Sequence, residues 1–192
     1  MKTRCSVLML FTLLSLMSVT SFAQTAKPAV DKALISKTEQ LLKSSGHIFG
    51  QITDNAWSVR FRGNTLDDIA VTTIVSREGL LVLSVVVAEK KEFRATPELM
   101  SKLLRLNNDY DRLKIGIKDN GNLFVRIDMS LRVTDAEEFK LNVEQVSAAA
   151  DEIATAIKPY MVTTPARKER HQGKLRVTPE SLRSYLAFVI DP

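Results

Sequence analysis

Four charged residues have the types and spacing to meet a ligand together: Arg60, Arg62, Arg126 and Asp128. Arg60 and Arg62 alternate with Val59 and Phe61, and Arg126 and Asp128 alternate with Val125, Ile127 and Met129. Side chains two apart on a strand share a face. A sheet could therefore gather these guanidinium groups around an anionic ligand or a partner's carboxylates, with Asp128 beside them as a proton-accepting group. The same spacing also suits plain cross-strand charge pairs. Other chemistry is sparse. His47 and His171 are the two histidines, far apart, with no HxxxH, CxxC or complete calcium loop around them. Asp119-Asn120-Gly121-Asn122 resembles the start of a calcium loop but lacks the later bidentate Glu, and Asn120-Gly121 predicts a type I′ hairpin turn instead. Asp67 and Asp68 are adjacent, so on a strand they point to opposite faces and do not share a site. There is no GxSxG and no glycine-rich phosphate loop. The residues thus predict no catalytic set, no metal site and no cofactor.

The elements that must position these groups follow from periodicity. Residues 30–45 place Leu34, Thr38, Leu41 and Leu42 on one helical face, with Gly46 as a natural stop. Trp57 to Arg62 is a strand with one polar face, and Ile69 to Ser76 is a second strand rich in β-branched residues. Leu80 to Ala88 is apolar on both alternating sets, which predicts a central strand covered on both faces. Its second cover is another helix of the chain or a second copy. Thr96-Pro97-Glu98 opens a second helix, with Thr96 as cap and Pro97 at the first turn. Leu113 to Lys118 and Leu123 to Met129 form a hairpin. Thr134-Asp135-Ala136-Glu137 reads as a capping box, Thr134 at N-cap and Glu137 at N3. It opens a long helix with the stripe Phe139, Val143, Val146, Ala150, Ile153, Ile157 and Tyr160. The predicted class is α+β: an antiparallel sheet of about five strands with packed helices, in the order α-β-β-β-α-β-β-α, plus a short C-terminal helix.

The ends of the chain carry a different message. Lys2 and Arg4, the apolar run Val7 to Val19 and the small residues of Ser21-Phe22-Ala23 form a secretory signal peptide over residues 1–23, cleaved near Ala23-Gln24. Cys5 is the one cysteine and precedes that cut, so the exported chain carries no thiol. A bacterial protein, periplasmic or secreted, is expected. Of 27 basic and 22 acidic residues, Lys2 and Arg4 leave with the leader, so 25 − 22 gives a net charge of +3. Residues 24–29 are a flexible lead-in, residues 30–161 the α+β domain, residues 162–177 a basic linker and residues 178–192 an amphipathic helix built on Leu182, Tyr185, Leu186 and Val189. The linker gathers Arg167, Lys168, Arg170, Lys174 and Arg176. Export argues against nucleic acid as their partner. An anionic surface is the alternative, with weak membrane-surface association.

Leu103-Leu104-Arg105-Leu106-Asn107-Asn108, then Lys114-Ile115-Gly116-Ile117, then Gly121-Asn122-Leu123-Phe124-Val125 resemble the YbjN-type, type III secretion chaperone-like superfamily over roughly residues 30–161. The resemblance implies a twisted antiparallel sheet against helices, homodimers, and a protein-binding role without enzymatic activity. The signal peptide and the basic charge depart from the cytoplasmic, acidic secretion chaperones. Three functions follow: an extracytoplasmic protein-binding or chaperone-like module with an unidentified polypeptide partner; a peripheral envelope protein held to anionic surfaces by Arg167 to Arg176; and an enzyme using the strand arginines with Asp128.

Overall fold

The structure, a computed structural model, describes residues 30–162. The signal peptide, the lead-in, Arg167, Lys168, Arg170, Lys174 and Arg176 of the linker, and the C-terminal helix lie outside the described residues. Within them the chain runs α1 (Lys32–Ser44), β1 (Phe49–Thr53), β2 (Ala56–Phe61), β3 (Ile69–Val75), β4 (Leu80–Ala88), α2 (Pro97–Asp109), β5 (Lys114–Ile117), β6 (Leu123–Ser130) and α3 (Ala136–Ile157), with 3-10 turns at Lys90–Glu92 and Lys158–Tyr160. The strands form one antiparallel sheet in the order β1-β2-β3-β4-β6-β5.

The α+β class holds, with one strand more than expected. β1 escapes periodicity because it contains Gly50, and a register shift between Gln51 and Thr53 breaks its alternation. It is made by pairing with β2 rather than by its own side chains. β4 lies inside the sheet between β3 and β6, as its doubly apolar pattern requires.

Helix starts obey capping chemistry. Asp31 accepts from the Ala33 N–H at 2.8 Å and Thr96 from the Leu99 N–H at 3.3 Å. The α3 cap falls one residue later than predicted. Asp135 is the N-cap and accepts from the Glu138 N–H at 2.8 Å, while the Thr134 hydroxyl donates back to the Ser130 carbonyl. The Asp135 carboxylate thus takes the cap, and Thr134 closes the preceding turn. The hairpin turn also differs. The Gly121 N–H bonds to the Lys118 carbonyl at 2.7 Å, and Gly121 has φ 84° while Asn120 keeps a negative φ. Asp119 and Asn120 are therefore the turn's centre, with Gly121 in the left-handed position after it, the form that adds a bulge residue.

All buried apolar residues of the three helices join a single cluster with the odd-numbered sheet residues, among them Trp57, Val59, Val71, Leu83, Val125 and Ile127. The α3 stripe from Phe139 to Ile157 is fully buried there. Two polar contacts hold the frame. The Asp151 carboxylate on α3 accepts from the backbone N–H groups of Asn64, Thr65 and Leu66 at 2.8–2.9 Å, tying the β2–β3 loop down. These bonds, that of Leu66 foremost, hold its carboxyl below the usual range. The Asn107 amide of α2 brackets the sheet edge: its Nδ2 donates to the Ile115 carbonyl and its Oδ1 accepts from the Ile115 N–H, both at 2.7 Å. It does for β5 what a seventh strand would do, and so blunts that edge.

A Cβ on Gly63 would run into the Asp151 carboxylate and Ile69. Gly63→Ala is expected to cost about 1–3 kcal/mol in urea unfolding. In an Asp151→Ala background the same change should cost less, because the obstructing carboxylate is gone. Equal costs in the two backgrounds would contradict the clamp. Asn107→Ala should cost about 1–3 kcal/mol, with Asn107→Asp no substitute, since a carboxylate cannot donate to the Ile115 carbonyl.

Candidate functional site

The even-numbered side chains form the other face of the sheet. Register across the strands sets them in rows. Ala56, Ile74, Val82 and Asp128 make one row; Ser58, Thr72, Ser84, Arg126 and Lys114 make the next. Arg60 stands beside Ala70, and Phe124 beside Val86 and Gly116. The centre of this face is apolar or carries small hydroxyls, and its β6–β5 side is cationic.

Ala56, Ile74, Val82 and Phe124 are buried, yet they stand outside the cluster that takes up the helices. Ser84, in the middle of the face, is 1% exposed, and its hydroxyl has no hydrogen-bond partner among the described residues. Leu80 and Val86 form an exposed apolar rim.

The structure brings Arg126 and Asp128 together, with Arg126 Nη2 3.1 Å from the Asp128 carboxylate and Lys114 Nζ 2.6 Å from it. It does not bring Arg60 or Arg62 to them. Two strands separate β2 from β6, which at about 4.8 Å per spacing puts roughly 14 Å between them. Arg60 pairs instead with Asp68 at 2.6 Å, and Arg62 is exposed just past β2. Strand order, invisible to local alternation, is the reason. Arg60 is thus paired with the residue that precedes β3, Arg126 with Asp128 two positions along the same strand, and, among the described residues, only Lys114 reaches Asp128 from the neighbouring strand.

The candidate site residues read from the sequence did not include Phe124 or Lys118, which also belong to this face. The Lys118 ammonium lies 5.5 Å and the Arg126 guanidinium 5.9 Å from the centre of the Phe124 ring, a cation–π arrangement. Their even numbering on the hairpin was the available signal. Burial, and then the nearby Arg126, lowers Lys118 to about 7. Beside the face, a cavity of about 270 Å³ is lined by Asp128, Ser130, Arg112, Glu138 and Asn142. Among the described residues no three His, Cys, Asp or Glu side chains gather as a metal-binding group.

A sheet in this order, closed on one face by the long helix α3, is the type III secretion chaperone-like fold. A chain of the ExsC–ExsE complex matches it with TM-score 0.51 and 16% identity, covering 65% of this chain and 96% of that one. A chain of the heterodimeric ExoU–SpcU complex from the type III secretion system of Pseudomonas aeruginosa gives TM-score 0.46 and 14% identity, covering 62% and 97%. YbjN from E. coli gives 0.47 and 17%, covering 68% and 96%. At these identities the likeness is one of fold. No protein-family model and no curated sequence matches the chain.

Lys118 yields a pH signature. Below about pH 7 both states carry its charge, and the folded state bears the full cost of burying it. Between about 7 and 10.5 the unfolded chain holds a proton that the folded chain has released, so stability rises with pH. Lys118→Met should remove that rise and be the more stable protein at neutral pH, as read by urea unfolding at several pH values. An unchanged pH slope in the variant would refute the assignment.

Proposed function

We propose that this protein is an exported, non-enzymatic polypeptide-binding module of the chaperone-like kind, and that its partner lies along the even-numbered face of the sheet. The observation that carries this reading is the face itself. It holds buried Ile74, Val82 and Phe124 apart from the helix-packed core, an exposed rim of Leu80 and Val86, and a cationic side made by Lys114, Lys118 and Arg126. Alternating apolar and small polar rows suit an amphipathic segment laid across strands, and a cationic border suits acidic residues at its edge. The fold supports the reading as well, since a chain of the same fold stands in the ExsC–ExsE complex. The leader pattern of residues 1–23 supports action outside the cytoplasm.

The reading is tested by affinity capture from bacterial envelope extract with paired baits. A polypeptide held by the wild-type chain should be lost at least about tenfold with Val86→Glu, which sets a charge on the rim at a cost of about 1.4 kcal/mol or more in binding. It should be kept with Leu104→Glu, on the exposed side of α2. Retention by both baits, or loss with both, would count against this face as the binding surface.

A further inference from the structure

The even face raises a physical problem that the described residues leave unsolved. Every buried apolar helix residue belongs to the odd-face cluster, so no described helix supplies the cover that Ile74, Val82, Ser84 and Phe124 have. We propose that residues 178–192 of this same chain lie on the even face as its resident occupant, and so compete with the polypeptide partner for it. The competition rests on the partner reading given above; the docking itself does not.

Three observations favour this segment. Its position is the first. The Val162 N–H bonds to the Glu92 carbonyl at 2.8 Å, just past the end of β4, and the Lys90 N–H bonds to the Asn122 side chain at 3.0 Å. The chain is thus delivered beside the hairpin that carries Lys118 and Phe124. Its reach is the second. Residues 163–177 are fifteen residues, able to span about 50 Å when extended. The sheet, at about 4.8 Å per strand spacing, is only about 24 Å wide. Its chemistry is the third. Leu182, Tyr185, Leu186 and Val189 recur at helical spacing and match the apolar rows. Glu180 and Asp191 against Arg183 leave the segment net acidic, while Arg126, Lys114 and Lys118 against Asp128 leave the facing side of the sheet basic.

The test uses the full chain with Cys5→Ser, so that an added thiol is the one probe. Ser84→Cys places it at the centre of the even face, and Leu104→Cys places it on the exposed side of α2 as control. The S84C thiol should react with iodoacetamide at least about tenfold more slowly than the L104C thiol, as buried groups behind a closed contact do. Leu186→Asp, and independently Tyr185→Asp, should raise the S84C rate towards the control, and neither residue belongs to the described core. A synthetic peptide of residues 178–192 should slow it again. An S84C rate indifferent to both substitutions would overturn the proposal. So would protection that varies with protein concentration, which means a second copy, or protection lost only on removing residues 1–29. If Leu186→Asp uncovers S84C but no polypeptide is captured through Val86, docking stands and the partner reading falls. If capture through Val86 is unaffected by Leu186→Asp, the partner reading stands and the competition falls.

Discussion

Burial of the α3 stripe against the odd-numbered side chains is the contact on which the rest of the molecule depends. Phe139, Val143, Val146, Ala150, Ile153 and Ile157 cover β3, β4 and β6 together, so a single helix closes strands that come from both sides of α2 in the chain. Each large side chain removed from water contributes about 1.5–3 kcal/mol. Such area is large against the marginal stability of a domain this size, so α3 decides whether the sheet forms at all. The helix also carries polar fastenings at its far end. Asp151 gathers three backbone donors of the β2–β3 loop, and Lys102 of α2 donates to the Ala156 carbonyl at 2.7 Å. Those contacts fix how far α3 can slide, and hence which sheet rows it covers.

Closing one face so completely sharpens the character of the other. A central strand such as β4 cannot leave Val82 and Val86 on an open surface without an apolar patch, and patches of that kind mark binding surfaces. The even face limits the exposure with small residues: Ser58, Thr72 and Ser84 form a low polar row between the apolar rows. Arg126 bridges the two characters, lying over the Phe124 ring while pairing with Asp128. Lys118 completes the basic side at an electrostatic cost, since its charge is disfavoured where it sits.

The two sheet edges are handled differently. At β5 the Asn107 amide, in the last turn of α2, occupies the outward N–H and carbonyl of Ile115. At the opposite edge β1 is short, interrupted by Gly50 and bent by its register shift, features that discourage pairing with other strands. Both edges are thereby poor places for strand addition, which agrees with the proposed use of the face.

The sequence by itself determined the elements and their inward sides. Strict alternation in β2 and β6, the doubly apolar β4, the Thr96-Pro97 start and the α3 stripe depend on neighbours a few residues away, and each is realised in the fold. What it could not determine were relations between distant segments. Arg60 and Arg126 alternate alike, but the order β2-β3-β4-β6 holds them apart. β1 exists because β2 pairs with it; Phe124 and Lys118 meet because a bulged turn, not a two-residue one, folds the hairpin. Gly63 and Asn107 gain their meaning from Asp151 and Ile115. Local pattern encodes which side of each element is apolar, because that is a property of backbone period. Which elements then lie side by side is decided by the shared burial of all of them at once, and only the folded chain carries that information.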